Sequence, residues 1–385
     1  MKGKTIALII LIVLIIGSVA YLESTKNGPG QQEDTQKLQA QGMQESSQQE
    51  IDKTLPQQLQ EKIAEKEKTY MRAPELAGIS GYLNSQPGIK ISDFRGKVVL
   101  VDFWTYTCIN CIRTLPHIVE WDKKYRDMGL VIIGVHTPEF DFEKDYANVQ
   151  NALKKYDIEY AVVQDNDYKT WQAFNNRFWP RKYLIDTDGF IRFDHIGEGS
   201  YDETEKQIQE LLSERNASIH YIPLSTVADT TPIKATTPEL YLGYDFALPR
   251  DQNIGNAHGF QEDTSVSYTL PDQREKDIVY LEGRWKSNPN NIETTGSSTL
   301  YLKFTASSLH LVASGLQPTK AKIFIDGHPL SKTQAGSDIT FEGDQSILTI
   351  GQPRLYTLIN APYGEYELKM VFSDSGASLN SFTFG

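Results

Sequence analysis

The sequence predicts an α/β domain built on a mixed sheet, then an all-β sandwich of jelly-roll type, behind a single apolar N-terminal segment. Three observations predict it. Residues 97–104 and 130–135 are nearly continuous apolar runs, as strands covered on both faces should be, and stretches of helical periodicity separate them. Beyond residue 222 helical periodicity stops, and short alternating strands are punctuated by turn residues. At the other end, Lys2 and Lys4 precede an unbroken apolar run from Ile6 to Ile16, the pattern of an export signal whose N-terminus stays in the cytoplasm.

Residues 1–22 read as a membrane anchor or signal segment. The apolar run lies at the short end of what a bilayer requires, and Ser18-Val19-Ala20 offers small residues to a signal peptidase. An uncleaved single-pass anchor is the first reading and a cleaved signal peptide the alternative. Either one puts the bulk of the chain outside the cytoplasm. Residues 23–69, rich in Gln, Glu, Lys and Ser, read as a polar disordered tether, helical in part near Leu55–Lys68.

The α/β domain is expected over 70–222. Its first buried strand, 97–104, leads into a helix that opens near Ile109 and runs through Trp121 and Tyr125. A strand follows at 130–135, then a helix over Glu143–Tyr156 and a short strand over Tyr160–Val163. Thr187-Asp188-Gly189 turns a hairpin between Tyr183–Asp186 and Phe190–Phe193, and a closing helix spans Asp202–Glu214. Residues 223–237 form a linker and 238–385 the sandwich, with no helix. In the sandwich, Thr299–Ala306 and Leu309–Ala313 are separate strands, as are Arg354–Ile359 and Tyr366–Phe372, the latter pair divided at Asn360-Ala361-Pro362.

Length and composition fit two folded domains with accessories, since 385 residues at 39% apolar content suffice for packed cores. A net charge of −12 argues against a nucleic-acid partner, which needs a basic face. Cysteine usage is more informative. The chain has two cysteines, Cys108 and Cys111, and they stand three apart where an apolar strand becomes a helix. An oxidising compartment permits structural disulfides, yet a bridge closing so small a loop stabilises little. The pair is therefore there to react, as a thiol–disulfide exchange site.

Position assigns the roles. Cys108 stands at the start of a helix, where unpaired N–H groups and the positive end of the dipole favour a thiolate over its thiol. Cys111, one turn deeper, is placed to attack the mixed disulfide that Cys108 forms. Asp102 is a carboxylate inside an apolar strand, costly to bury without a task. Burial raises its pKa and makes it the proton acceptor for the Cys111 thiol; its bland alternative is a structural acid bonded to neighbouring backbone. Trp179-Pro180 stands at the mouth of a strand, where the proline cannot donate to the ladder and the backbone of Trp179 can pair with a substrate peptide.

Val101-Asp102-Phe103-Trp104, Cys108-Ile109-Asn110-Cys111 and Pro116 resemble thioredoxin, with matching offsets for the acid, both cysteines and the proline inside the helix. The longer stretches 103–116, 134–140 and 179–186, with Thr237-Pro238-Glu239-Leu240-Tyr241-Leu242-Gly243-Tyr244 and the terminal Phe382-Thr383-Phe384-Gly385, resemble the extracytoplasmic part of the DipZ proteins, relatives of the TlpA and ResA reductases. That resemblance covers roughly residues 70–385. It implies a thioredoxin-like domain before a sandwich likened to carbohydrate-binding modules, a redox-active disulfide at Cys108 and Cys111, and a cis-proline at Pro180. Thioredoxin has Trp before its first cysteine, whereas this chain has Thr107, which alters the substrate-facing surface. Full-length DipZ also carries a multi-helix CcdA-like portion. Lacking a counterpart, this chain is expected to receive electrons from a separate CcdA-like membrane donor.

Other constellations are weaker. Thr105-x-x-Cys108 is superficially like a peroxiredoxin loop but lacks its upstream proline. His117 and His136 do not fit a zinc site with the cysteines and read as surface or helix-face residues. No metal or cofactor is called for. Trp285, Tyr241, Tyr244, Tyr280, Tyr301, Tyr356 and Tyr363 are candidate stacking platforms for envelope carbohydrate, a role resting on family analogy.

The sequence thus predicts an extracytoplasmic thiol–disulfide oxidoreductase acting on protein disulfides, with Cys108, Cys111 and Asp102 catalytic and Trp179 and Pro180 binding substrate. Direction is open: a potential near about −270 mV suits a reductase, one near about −120 mV an oxidant. The alternatives are an envelope or glycan-binding protein using the α/β domain as scaffold, and a thiol peroxidase.

Overall fold

A computed structural model describes residues 60–214, 218–219 and 222–385. The expected membrane segment and most of the expected tether lie outside the described residues, among which no helix is long and apolar enough to cross a membrane. Residues 60–69 form a helix, α1, overlapping the stretch Leu55–Lys68 in which the tether is expected to be helical in part. Its Lys66 Nζ donates to Asp186 Oδ2 at 2.5 Å and to Asp188 Oδ2 at 2.7 Å, seating the helix on the α/β domain.

The α/β domain is a six-stranded mixed sheet of β1 (Gly81–Leu83), β2 (Val98–Trp104), β3 (Leu130–His136), β4 (Ala161–Gln164), β5 (Arg181–Ile185) and β6 (Ile191–Ile196), in the order β1-β4-β3-β2-β5-β6. Strands β2, β3 and β4 are parallel; β1, β5 and β6 pair antiparallel with their neighbours. Every residue of β2 is buried, the physical counterpart of its unbroken apolar run. Successive side chains of β2 serve two cores. Leu100 and Trp104 join Leu115, Ile118, Trp121 and Tyr125 of helix α2 (Ile109–Tyr125), whereas Val99, Val101 and Phe103 face Trp171, Phe174 and Tyr183.

Helix α3 (Tyr146–Lys155) is capped by Asp145, whose carboxylate accepts from the N–H groups of Ala147 and Asn148. Short α4 (Lys169–Ala173) and closing α5 (Tyr201–Ser213) complete the domain. Glu205 of α5 accepts from Trp121 Nε1, Tyr125 Oη and Ser225 N, so the start of the linker is pinned to α2 and α5.

The C-terminal region is a large antiparallel network of ten strands. These are β7 (Leu240–Tyr241), β8 (Ser265–Tyr268), β9 (Val279–Ser287), β10 (Ile292–Gly315), β11 (Thr319–Ile325), β12 (His328–Pro329), β13 (Ile339–Glu342), β14 (Gln345–Ile350), β15 (Arg354–Phe372) and β16 (Ala377–Phe384). Two expectations give way here. The breaks near Ser307 and at Asn360-Ala361-Pro362 do not end strands: β10 has 24 residues, β15 has 19, and they pair along most of their length with register shifts between Ala306/Ser308 and Leu309/His310. A bulge absorbs the irregularity that reads as a turn. A short helix, α6 (Tyr244–Ala247), with a 3-10 turn after it, also occupies a region expected to hold no helix.

Two further corrections concern aromatic and histidine residues. Trp285 and Tyr356, proposed as stacking platforms, are core residues with 0% and 1% exposure. Tyr363 presents 39% of its surface. His117 and His136 are buried rather than on the surface: His117 stacks on Tyr201 at 3.5 Å, and His136 stacks on Tyr106 at 5.6 Å.

The two parts pack directly. Ile109 and Phe140 form a small buried apolar cluster with Val312 and Leu355. Around it, Tyr241 Oη donates to Glu139 Oε1 at 2.7 Å and Asn290 Nδ2 donates to Asp141 Oδ2 at 3.0 Å.

Candidate functional site

The end of β2 delivers both cysteines. Cys108 is the N-cap of α2, and the N–H of Cys111 donates to its sulfur at 3.3 Å. A backbone donor aimed at sulfur where the helix begins is an arrangement that accommodates negative charge. Both cysteines are free thiols; Cys108 is partly exposed and Cys111 is buried at 1% exposure. Burial pushes the Cys111 thiol well up, with the neighbouring Cys108 and the charge of Asp102 adding to the effect. Cys111 therefore needs a base to become a nucleophile.

Asp102 is that candidate. It shares the parity of Leu100 and Trp104 on β2 and so points to the α2 face, the one holding Cys111. At 1% exposure its carboxyl is pushed up to about 6 by burial, while the positive charge of Lys182 pulls it back. Lys182 is its cross-strand partner on β5, is itself fully buried, and donates from Nζ to the Gly197 carbonyl at 3.0 Å. Burial pushes the Lys182 ammonium down and Asp102 pulls it up, so the two act on each other through space.

Asp102 Oδ1, Trp104 Nε1 and Tyr160 Oη are buried without hydrogen-bond partners among the described residues. Gly134, opposite Asp102 in the register, leaves room beside them, since a Cβ there would meet Trp104 Nε1 at 3.0 Å. Sequence reasoning missed Lys182, whose signal was a cation inside an otherwise buried strand.

The turn before Cys108 is fixed by a residue that sequence reasoning also missed. Glu143 accepts from Thr107 Oγ1 at 2.5 Å and from the backbone N–H of Phe140 at 3.0 Å. Thr105, on which the peroxidase alternative rested, is fully buried, its hydroxyl 3.4 Å from His136 Nε2.

The Trp179–Pro180 peptide is cis. Pro180 is buried, and Trp179 Nε1 donates to the Thr137 carbonyl at 3.1 Å while its ring lies 4.3 Å from that of Trp171. Cys108, Asn110, Phe178 and Trp179 line one side of a cleft of about 550 Å³. The segment Pro232–Glu239 and the strand end Thr383-Phe384 line the other. Of the residues singled out in the sequence, Cys108 and Trp179 meet in this cleft, with Pro180 buried beside them. Cys111 and Asp102 lie behind it, in the core.

Residues 73–194 match the AhpC/TSA family, and residues 237–385 match a family described as thioredoxin-like C-terminal domain. Protein DipZ of Mycobacterium tuberculosis is 37% identical over 276 residues, which are 70% of this chain and 39% of DipZ. Thiol-disulfide oxidoreductase ResA of Bacillus thuringiensis is 31% identical over 124 residues, 32% of this chain and 66% of ResA. Thiol-disulfide oxidoreductase YkuV of Bacillus subtilis is 28% identical over 142 residues, 37% of this chain and 94% of YkuV. The chain thus spans about two fifths of the length of DipZ.

Proposed function

Because the chain is a thioredoxin-like protein related to DipZ, ResA and YkuV, we propose that it is an extracytoplasmic thiol–disulfide oxidoreductase that reduces protein disulfides. One observation carries the reading: the partly exposed Cys108 caps α2 and lines a cleft, with Cys111 buried one turn behind it.

The chemistry follows from that arrangement. The Cys108 thiolate attacks one sulfur of a substrate disulfide, forming a mixed disulfide and expelling the other sulfur as a thiolate. Asp102 takes the proton of the Cys111 thiol, and the resulting thiolate attacks the Cys108 sulfur. The bond from Cys108 to substrate breaks, and the second substrate sulfur leaves with its electron pair and takes a proton from solvent. Two electrons pass to the substrate, and Cys108 and Cys111 are left as a disulfide. A CcdA-like membrane donor returns the pair to its reduced form. Trp179 serves substrate binding: neither its N–H nor its carbonyl is engaged by another main-chain group among the described residues, which supports strand-like pairing with a peptide.

The N-terminal lysines and apolar run support tethering at the outer face of a membrane. The α/β domain is assigned to 70–222 and the β region to 238–385, the latter as a sandwich of jelly-roll type, a reading that the antiparallel pairing of the long strands β10 and β15 supports. Its deep burial of Trp285 and Tyr356 favours a walling role at the cleft over a glycan platform, and Lys234 lies over the ring of the exposed Tyr363 at 4.5 Å.

Trapping tests the reading. A Cys111→Ala variant of the full chain, expressed in its native compartment, is expected to hold partner proteins as mixed disulfides that disappear on adding Cys108→Ser. Recovery of no adduct under reducing and oxidising growth conditions overturns it.

A further inference from the structure

The mouth of the cleft is chemically one-sided. Arg177, Lys234 and Arg250 all line it and are all exposed. Among the described residues none of the three has an acidic partner within ion-pair distance. Lys234 instead sits over the ring of Tyr363 at 4.5 Å and Arg250 over that of Tyr241 at 4.5 Å.

The acids of the same lining are turned inward. Glu198 is paired with Arg113 at 3.2 Å. Glu139 and Glu239 share the hydroxyl of Tyr241, at 2.7 and 3.1 Å. Burial holds both toward the neutral form against the pull of Arg250, with repulsion from Glu239 adding to the rise of Glu139 and Glu239 itself at about 7. The rim is therefore positive on a chain whose net charge is −12. Below it lies an apolar wall: Phe178, 47% exposed, beside Trp179.

We propose that the cleft selects an extended protein segment whose disulfide is flanked by Asp or Glu, with an apolar side chain laid against Phe178. The inference rests on the oxidoreductase reading and adds the substrate class to it. An acidic segment gains on approach from the two cations Arg177 and Lys234, and from Arg250, whose charge also acts on Glu139 and Glu239. The linker residues Pro232 and Lys234–Glu239 line the same cleft as Cys108. The free main-chain groups of Trp179 suit an extended segment.

The test uses the reduced full-length chain and three fluorophore–quencher peptides. Each carries one disulfide and the same apolar residue, with Asp, Asn or Lys on both sides of the half-cystine. The second-order rate constant is expected to fall from Asp through Asn to Lys, with a spread of ~10-fold at low salt that closes as ionic strength rises. Arg177→Glu/Lys234→Glu should invert the order, a result that damage to folding cannot imitate, because damage lowers all three rates together.

Equal rates for the three peptides, or an order unmoved by the charge reversal, overturn the inference alone. Failure to reduce any peptide or hydroxyethyl disulfide removes the oxidoreductase reading and this inference with it.

Discussion

Replacing Asp102 by Asn is expected to make the reduced protein more stable and less able to resolve a mixed disulfide. The carboxyl is 1% exposed, and burial pushes it from 3.8 to about 6 against the pull of Lys182. The folded chain therefore holds a proton that the unfolded chain has released. Below about pH 4 both forms are protonated and the site costs nothing; between about 4 and 6 the cost of ionising it grows, and above that it is constant. The displacement corresponds to ~3 kcal/mol. Asp102→Asn removes this pH-dependent part, so its advantage over the parent should grow from near zero at about pH 4 to at most ~3 kcal/mol above about pH 6. Leaving the buried Lys182 without a carboxylate neighbour reduces that gain.

Chemistry responds in the opposite sense, because Cys111 is pushed well up and loses its base. Resolution should slow by ~10²-fold or more, and the rise of its rate through about pH 6 should vanish. Urea unfolding of the reduced chain across this pH range gives the first quantity, and stopped-flow release of thiol from a preformed Cys108 mixed disulfide gives the second. A variant that loses stability equally at every pH, or that resolves as fast as the parent, refutes the reasoning.

Two more predictions follow from the same electrostatics. Lys182→Met removes the charge that lowers Asp102, so the rising limb of the resolution profile should move to higher pH; a limb that stays in place assigns Lys182 a purely packing role. Glu139 and Glu239 are both raised, Glu239 to about 7, so their contribution is fully present below the unfolded value near about 4.5 and is lost as pH rises through about 7. Thermal unfolding of the parent should therefore weaken between about pH 5 and pH 8. Glu239→Gln should flatten that slope, and an unchanged slope rules the pair out as its source.

What the sequence disclosed depended on how local the signal was. The apolar run of β2, the helix starting at Ile109 and the position of Cys108 at their junction each follow from consecutive residues, and each appears where expected. Side chains whose meaning depends on pairing were invisible. Lys182 matters because the β2–β5 register sets it opposite Asp102, and no spacing within one strand reveals a neighbour on another. His136 reads from the sequence as a surface or helix-face residue, whereas its place at the end of a central strand buries it against Tyr106 and Trp104. Near Ser307 and Pro362, turn-forming residues lie inside long strands, because pairing with neighbours outweighs local propensity.

The contact between the two parts changes what the cysteines can meet. Ile109, the residue after Cys108, is buried against Val312 and Leu355 of the β region, so the reactive end of α2 is itself part of the contact. Apolar packing of a few side chains does not set an orientation by itself, since the hydrophobic effect is non-directional. Direction comes from the hydrogen bonds of Tyr241 to Glu139 and of Asn290 to Asp141, which bracket that cluster. A second region fixed this way acts on the chemistry without supplying a reacting group: together with the linker it lines the cleft beside Cys108, the linker bringing Lys234 and the β region Arg250. Substrate selection, as proposed, is then shared: Arg177 and Phe178 belong to the domain that carries the sulfur pair, whereas Lys234 and Arg250 come from the linker and the β region and can be altered without touching that pair.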